Sequence, residues 1–396
     1  MEPDLTVVIG GGAAGIMAAI SKARRGEAVI ICEKNNQIGK KILASGNGRC
    51  NLLNDNLNEN KYNEAARSFV RTIFSSYGKK DIISFFNSIG LSVYSLEGRI
   101  FPATNQAASV LRVLELELHR LLVPVEYGFN CTSLSLQNEC LNVISDAGKR
   151  LTCQKIIITG GGKTYPSFGS DGSTFQIARQ LGHTIIEPVP SAVPLVTKDT
   201  LCQVLQGQRI QARVQTIING QATPEISGEL LFTKYGLSGT CILDISGPIS
   251  IALNRNHQAK VTISADLVPF MDRQQLKDEL SRRQQAGFST NDMLSGILPN
   301  KFNLAFKSLL ETNNIVDVVN HLKSRPFSIT ATRGWNEAEF TCGGVNVQEI
   351  KPDTLESKLV KNVYFAGEVL DVDGARGGYN LAWAWASGYI AGQTNT

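Results

Sequence analysis

The chain has 396 residues, of which 42% are hydrophobic and 19% charged, and a formal net charge of +4. That length supports roughly two or three domains with sizeable cores, while so small a charge, with no run of five like charges, argues against nucleic-acid or anionic-membrane partners. Cysteines at 32, 50, 131, 140, 153, 202, 241 and 342 form no CxxC and do not pair closely with the four histidines, which speaks against a zinc site or a disulfide framework.

The first predicted elements are the most informative. Leu5-Thr-Val-Val-Ile9 reads as a strand, Gly10-Gly-Gly12-Ala13-Ala14-Gly15 as a turn into an apolar helix from Ala13 to Ala23, and Val29-Ile-Ile-Cys-Glu33 as a second strand ending in an acid. In this order the glycines permit a tight turn, close backbone approach to a pyrophosphate and helix–strand packing, while amide groups at the helix start meet the anion. Glu33 lies 18 residues after Gly15, where a carboxylate accepts hydrogen bonds from a ribose. The absence of an arginine directly after it favours an unphosphorylated ribose, as in FAD or NAD. Lys22, Arg24, Arg25 and Glu27 interrupt the apolar stretch, so neither a signal peptide nor a membrane helix is expected and the location is read as cytoplasmic.

A glycine-rich polar loop, Gly39 to Asn51, comes next, followed by helical patterns at about 63–76, 79–89 and 106–122. Short alternating runs at 123–127, 131–136 and 140–145 predict a β-meander feeding back into a parallel sheet through the apolar strand Lys155–Ile158 and Thr159-Gly160-Gly161. Pro188, Pro190 and Pro194 mark a change of pattern to β-rich (about 195–264), then polar-helical (about 272–322), then one strand near 327–333. The chain closes with Val363-Tyr-Phe-Ala-Gly367-Glu368 and an apolar helix from about Tyr379 to Ala391, so both chain ends build the Rossmann sheet around an inserted middle third. Three strands thus end in glycine, at Gly10, Gly160 and Gly367, where one long ligand could touch all of them. Glu368 and Asp373 sit where an acid could hold the hydroxyls of a ribityl chain, and the start of the last helix, at Gly377 to Leu381, would favour negative charge on a ring.

Val8 to Gly15, Gly39 to Asn51, Gly98-Arg-Ile-Phe-Pro102, Gly228 to Gly239, Tyr364 to Gly374 and Gly377-Gly-Tyr-Asn-Leu381 together make the chain resemble the YhiN/BaiN-type bacterial flavoproteins, the aminoacetone-oxidase-like FAD-binding oxidoreductases, over nearly its whole length. The resemblance implies an α/β fold: a glutathione-reductase-like Rossmann FAD-binding domain with an inserted β-barrel plus helical domain. The expected division is 1–190 and 334–396 for FAD, and 191–333 for the insert, with the barrel at about 191–265 and 326–333 and the helical part at about 266–325. It also implies FAD bound by Gly10, Gly12, Ala13, Ala14, Gly15, Glu33, Lys34 and Lys41; by Gly46, Arg49 and Asn51; by the backbone near Cys131; by Thr159, Gly160 and Gly161; and by Gly367, Glu368, Asp373, Asn380 and Leu381. Relatives reduce activated C=C bonds or oxidise small amines, so the expected function is hydride transfer between flavin and a small or medium organic substrate. Lys234, Thr240 and Arg376 stand where the family pattern has histidine, proline and a small or hydroxyl residue.

The catalytic candidates are few. Cys50 follows Gly48-Arg49 and would be a reactive thiolate if Arg49 lowered its pKa, against the alternative of a packed, inert thiol. Lys234 is an acid/base candidate against the alternative of a solvated lysine. His119, His183, His257 and His321 read as surface or packing residues, and Trp335, Trp383 and Trp385 as core or pocket lining. No second GxGxxG unit occurs, so NAD(P)H is expected only as a transient donor. Two other readings stay open: an FAD-dependent RNA-modifying protein and a non-catalytic flavin redox sensor.

Overall fold

The computed structural model describes residues 5–137, 140–256 and 258–393, which leaves His257 outside the described residues. The chain divides into two compact units, one formed by the described residues up to Pro188 together with those from Phe340 onward, the other by Val189–Glu339.

In the first unit, β1 (Thr6–Ile9), α1 (Ala13–Ala23) and β2 (Val29–Glu33) follow the predicted order. A five-stranded parallel sheet runs Val363–Phe365, Lys155–Ile158, β1, β2 and then Val125–Tyr127. All four residues of β1 are buried, as a sheet covered on both faces requires. The segment Val125–Tyr127 is the parallel edge strand rather than the first strand of the meander, which instead runs Cys131–Gln137, Cys140–Ser145 and Arg150–Cys153. Three residues of alternating character cannot distinguish a parallel partner from an antiparallel one. A small antiparallel sheet adds β3 (Leu53–Asn54), β4 (Val93–Leu96) and β5 (Arg99–Pro102), in the order β3, β5, β4. The last helix, Tyr379–Gly392, packs against α1 and buries Trp383 and Trp385 completely.

The second unit contains a closed six-stranded barrel. Arg209–Ile218 pairs with Ile226–Thr233, which pairs in turn with Gly236–Ser238, Leu195–Thr197, Arg325–Thr332 and Val261–Asp266, and the last strand pairs back with Arg209–Ile218. Closure removes the free sheet edges. Inward-facing Ile210, Ala212, Val214, Phe232, Ile263 and Phe327 fill the interior at every second position. Helices Arg273–Gln285, Lys301–Ala305, Lys307–Leu310 and Ile315–Lys323 lie in the expected polar-helical segment. One expectation fails: within the stretch read as β-rich, Thr240–Arg255 is a 16-residue helix with Pro248 inside it. Its isoleucines and Gly247-Pro248 argue locally against a helix. However, Cys241, Ile242, Ile245, Ser246, Ile249 and Ser250 recur at helical spacing and are buried, so packing overrides propensity. The α/β class with a Rossmann domain and a barrel-plus-helix part is the one the sequence motifs implied.

Candidate functional site

The site is built where β1 ends. Gly10 has φ +105°, outside the range an L side chain tolerates, and a Cβ there would lie 2.8 Å from the Thr159 carbonyl oxygen. A Cβ on Gly15 would lie 1.9 Å from the Gly10 carbonyl oxygen, so only glycine lets α1 start so close to the strand. Gly12, in contrast, has φ −82° and nothing within 4 Å of a Cβ position, so its backbone faces open space. The first turn of α1 has no capping side chain and no acid, leaving the amide end of the helix, around Ala13 and Ala14, directed into that space.

Glu33 is buried, and both its oxygens are oriented. Oε2 accepts from the Gly11 amide at 2.8 Å, and Oε1 accepts from the backbone and side-chain nitrogens of Asn35 at 2.8 and 2.7 Å. A carboxylate oxygen accepts two hydrogen bonds, so Oε2 retains capacity for a hydroxyl donor. Lys34 pairs with Asp171 at 2.8 Å; burial works against ionisation of Asp171, but Lys34 and Ser173 hold its carboxyl below the usual value. Thr159 donates its hydroxyl to the carbonyl oxygens of Ile9 and Gly10 at 2.9 and 2.8 Å, tying together the ends of two adjacent strands. Gly10, Gly12, Glu33, Lys34, Lys41, Cys131, Thr159, Gly160 and Gly161 all line one cavity at these strand ends.

Two hydroxyls missed in the sequence lie on the same wall. Ser170, beside Gly161, and Thr174, beside Gly160, are buried with no hydrogen-bond partner for Oγ or Oγ1. Buried polar groups are normally paired, so two unpartnered hydroxyls beside an uncapped helix end and an oriented carboxylate fit a dinucleotide there. A single hydroxyl in a loop, as at Ser170, or in the first turn of the helix Ser173–Gln180, as at Thr174, carries no spacing signal that reveals it.

A second cluster surrounds Glu368. Its Oε2 lies 2.5 Å from Lys41 Nζ, while Oε1 accepts from the Thr341 amide at 2.9 Å and the Thr164 hydroxyl at 3.2 Å. Asp373 Oδ2 accepts from the Cys342 thiol at 3.0 Å, and Asn380 spends its amide on the Gly374 backbone, accepting at 2.8 Å and donating at 2.9 Å. Gly367 is held from both sides, its amide donating to Ser387 Oγ and its carbonyl accepting from the indole of Trp383 at 3.1 Å. Trp385 donates to the Leu52 carbonyl, so both tryptophans brace glycine-rich segments from inside the core. Leu381 lies half-buried on the first turn of the last helix.

The loop from Ser45 to Asn51 is left-handed at Gly46, Asn47, Gly48 and Cys50. Asn51 is buried with an unpartnered Oδ1 against Gly378. Burial pushes the Cys50 thiol up to about 12, although Ser45 partly opposes this, so the thiol is protonated at neutral pH and the surroundings favour a packed cysteine. Lys234 lies exposed in the turn between Ile226–Thr233 and Gly236–Ser238 of the second unit. Among the described residues no helix is long and apolar enough to cross a membrane.

Comparison with known proteins agrees with this geometry. The family model of the HI0933-like protein Rossmann domain matches residues 4–394. A 3-dehydro-bile acid delta(4,6)-reductase of Clostridium scindens is 38% identical, covering 98% of this chain and 97% of its own. A ribosomal RNA dihydrouridine synthase of Haemophilus influenzae is 30% identical over 97% of this chain and 96% of its own, and one of Escherichia coli is 28% identical over 99% and 98%. The chain belongs to the HI0933-like Rossmann family and, with it, to the FAD-dependent oxidoreductases.

Proposed function

We propose that this protein reduces an electron-poor C=C bond of a small or medium organic substrate, with NAD(P)H as the transient donor of the hydride. The observation that carries the cofactor half is the cradle at the end of β1, where open backbone at Gly12, an oriented Glu33 and the unpartnered hydroxyls of Ser170 and Thr174 share one cavity. The reaction half is supported by the bile acid reductase, 38% identical over 98% of this chain.

Bound FAD supplies two-electron hydride exchange, which the protein's own side chains cannot perform. The chain's residues bind and orient. The start of α1 from Gly12 to Gly15 presents amides to the pyrophosphate, Glu33 accepts from a ribose hydroxyl, and Ser170 and Thr174 offer hydroxyls to the same half of the cofactor. Glu368, oriented by Lys41 and the Thr341 amide, and Asp373, together with Gly367, serve the ribityl side, while the Gly46–Asn51 loop and the turn before Asn380 and Leu381 border the ring. We assign 1–190 with 334–396 to cofactor binding and 191–333 to an insert. The test is turnover with NADH or NADPH and a panel of conjugated enones under nitrogen, with products analysed by mass. A gain of two hydrogens supports the reading; no product from any enone, with consumption of amines instead, overturns it.

The second reading is dihydrouridine formation in RNA, favoured by the 30% identical relative that covers 96% of its own length. Uridine is likewise reduced at a conjugated C=C bond, so the two readings share chemistry and differ in what is recognised. Mass analysis of ribosomal RNA from a deletion strain separates them, since loss of a dihydrouridine favours this second reading.

A further inference from the structure

The small sheet of the first unit has one face turned into the core and one turned out. Leu53 and Ile100, opposite each other in register, are buried, and so set the inner face. On the outer face Asn54 and Leu96 both lie opposite Arg99, and Tyr94 lies opposite Phe101. Directly paired residues share a face, as do residues two apart on a strand, so Asn54, Tyr94, Leu96, Arg99 and Phe101 share one face, of which Phe101 is the buried part.

Two guanidinium groups lie on it. Arg49 comes from the glycine-rich loop and stacks 4.3 Å from the centroid of Phe101. Its Nε donates to Asn105 Oδ1 at 3.1 Å, and its Nη2 to Asn105 Oδ1 and the Tyr94 hydroxyl at 2.9 and 3.1 Å. Every one of those partners is neutral, and Nη1 is left with both its N–H groups. Arg99 is exposed, with its Nε 3.7 Å from the Cβ position of Gly377, and Asn54 anchors the Gly377 carbonyl at 2.9 Å. Among the described residues neither arginine has a carboxylate partner. Arginine stays charged at any physiological pH, so the surface carries two uncompensated positive charges, one of them held rigid. Leu96, 46% exposed, and the half-buried ring of Tyr94 supply apolar area beside them, while Phe101 is buried beneath Arg49.

We propose that this face is an acid-recognition surface: Arg49, seated on buried Phe101, and Arg99 bind the carboxylate of the substrate, and Leu96 and Tyr94 carry part of its apolar body. The surface is joined to the Ser45–Asn51 loop through Arg49 and to the Gly377–Gly378 turn through Arg99 and Asn54, the two segments assigned above to the ring end of the cofactor. Only its relation to the reacting bond rests on the proposed reductase reading; the anion preference rests on the arginines. A phosphate backbone would call for cations spread along a track, whereas these two sit on one short sheet beside apolar side chains, which suits a single carboxylate.

The test uses the flavin-loaded protein and the perturbation of its flavin absorbance as a binding signal. The probes are 3-oxochol-4-enoate, its methyl ester and cyclohex-2-enone. The acid should bind at least tenfold more tightly than the ester; Arg99→Gln should reduce that preference several-fold, Arg49→Gln should abolish it, and Arg99→Lys should restore most of it. Equal binding of acid and ester, or a preference that survives both glutamine variants, overturns the proposal. Tighter, salt-sensitive binding of a single-stranded RNA dodecamer that both variants lose would assign the arginines to phosphate and overturn it as well. Reduction of cyclohex-2-enone without any acid preference would leave the reductase reading standing and remove only this one. Acid preference without reduction of either enone would do the reverse.

Discussion

Gly12 and Gly15 lie three residues apart, yet the structure predicts opposite consequences for adding one methyl group to each. At Gly15 the new Cβ would sit 1.9 Å from the Gly10 carbonyl oxygen and 2.6 Å from Thr159 Oγ1, both on buried, hydrogen-bonded backbone or side chain. Relief requires α1 to move by more than 1 Å from a sheet it packs against, and overpacking of this kind costs about 1–3 kcal/mol or more. In a unit of this size that corresponds to a fall in Tm on the order of 2–12 °C. At Gly12 the backbone is in an ordinary region and a Cβ would meet nothing within 4 Å, so Gly12→Ala should change stability by only about 0.5 kcal/mol. The methyl instead occupies space that a pyrophosphate needs, and should weaken FAD binding by about tenfold or more, roughly 1.4 kcal/mol. Thermal melts of the apoproteins and FAD titration of each variant separate the two effects. A Gly12→Ala protein that binds FAD like the wild type, or a Gly15→Ala apoprotein that melts normally, would refute the reasoning.

Ser170→Ala and Thr174→Val remove hydroxyls that have no partner, so the apoprotein should be as stable as wild type or slightly more so, while FAD binds several-fold more weakly; urea midpoints and FAD titration decide. Cys50 should resist a thiol reagent in the native protein at pH 8 because its thiol is pushed up to about 12; rapid native labelling mapped to Cys50 would contradict its packing. His183 is buried between Glu349 at 3.1 Å and Ser357 at 2.7 Å, and desolvation lowers its pKa despite Glu349. The unfolded chain therefore binds the proton more readily. This contribution is complete above the ordinary histidine value of 6.5 and is lost as pH falls toward the lower folded value. Urea midpoints of His183→Asn should accordingly depend less on pH between 7 and 5 than those of the wild type, and an unchanged slope would count against this. Pro248→Ala should stabilise the second unit by about 1–3 kcal/mol, because exposed Pro248 interrupts a helix without a packing role; a lower Tm would show that the ring matters.

The parts of the site that were readable in the sequence are those written locally. Gly10 to Gly15 and Glu33 act through backbone conformation and one strand–turn–helix unit, so their spacing alone carries the signal. The Lys41–Glu368 ion pair joins residues 327 positions apart, and no local pattern announces it. The hydroxyls of Ser170 and Thr174 matter for what they lack, which only the three-dimensional surroundings reveal. The helix Thr240–Arg255 was obscured for the opposite reason: its local sequence opposes the helix, and burial of one face outweighs that opposition. The edge strand Val125–Tyr127 is legible as a strand in its sequence but its neighbours are not, since strand direction is set by the connection and not by the strand's own residues.

The most direct measurement follows the two half-reactions in one anaerobic stopped-flow experiment. Flavin-loaded protein is mixed with NADH or NADPH and then with 3-oxochol-4-enoate, while the oxidised flavin band is recorded. A reductase should bleach with at least one nicotinamide and recover its absorbance when the enone arrives, with one equivalent of saturated product per flavin. A band that persists with both nicotinamides but bleaches with an amine, or a reduced flavin that ignores the enone, would contradict the assignment.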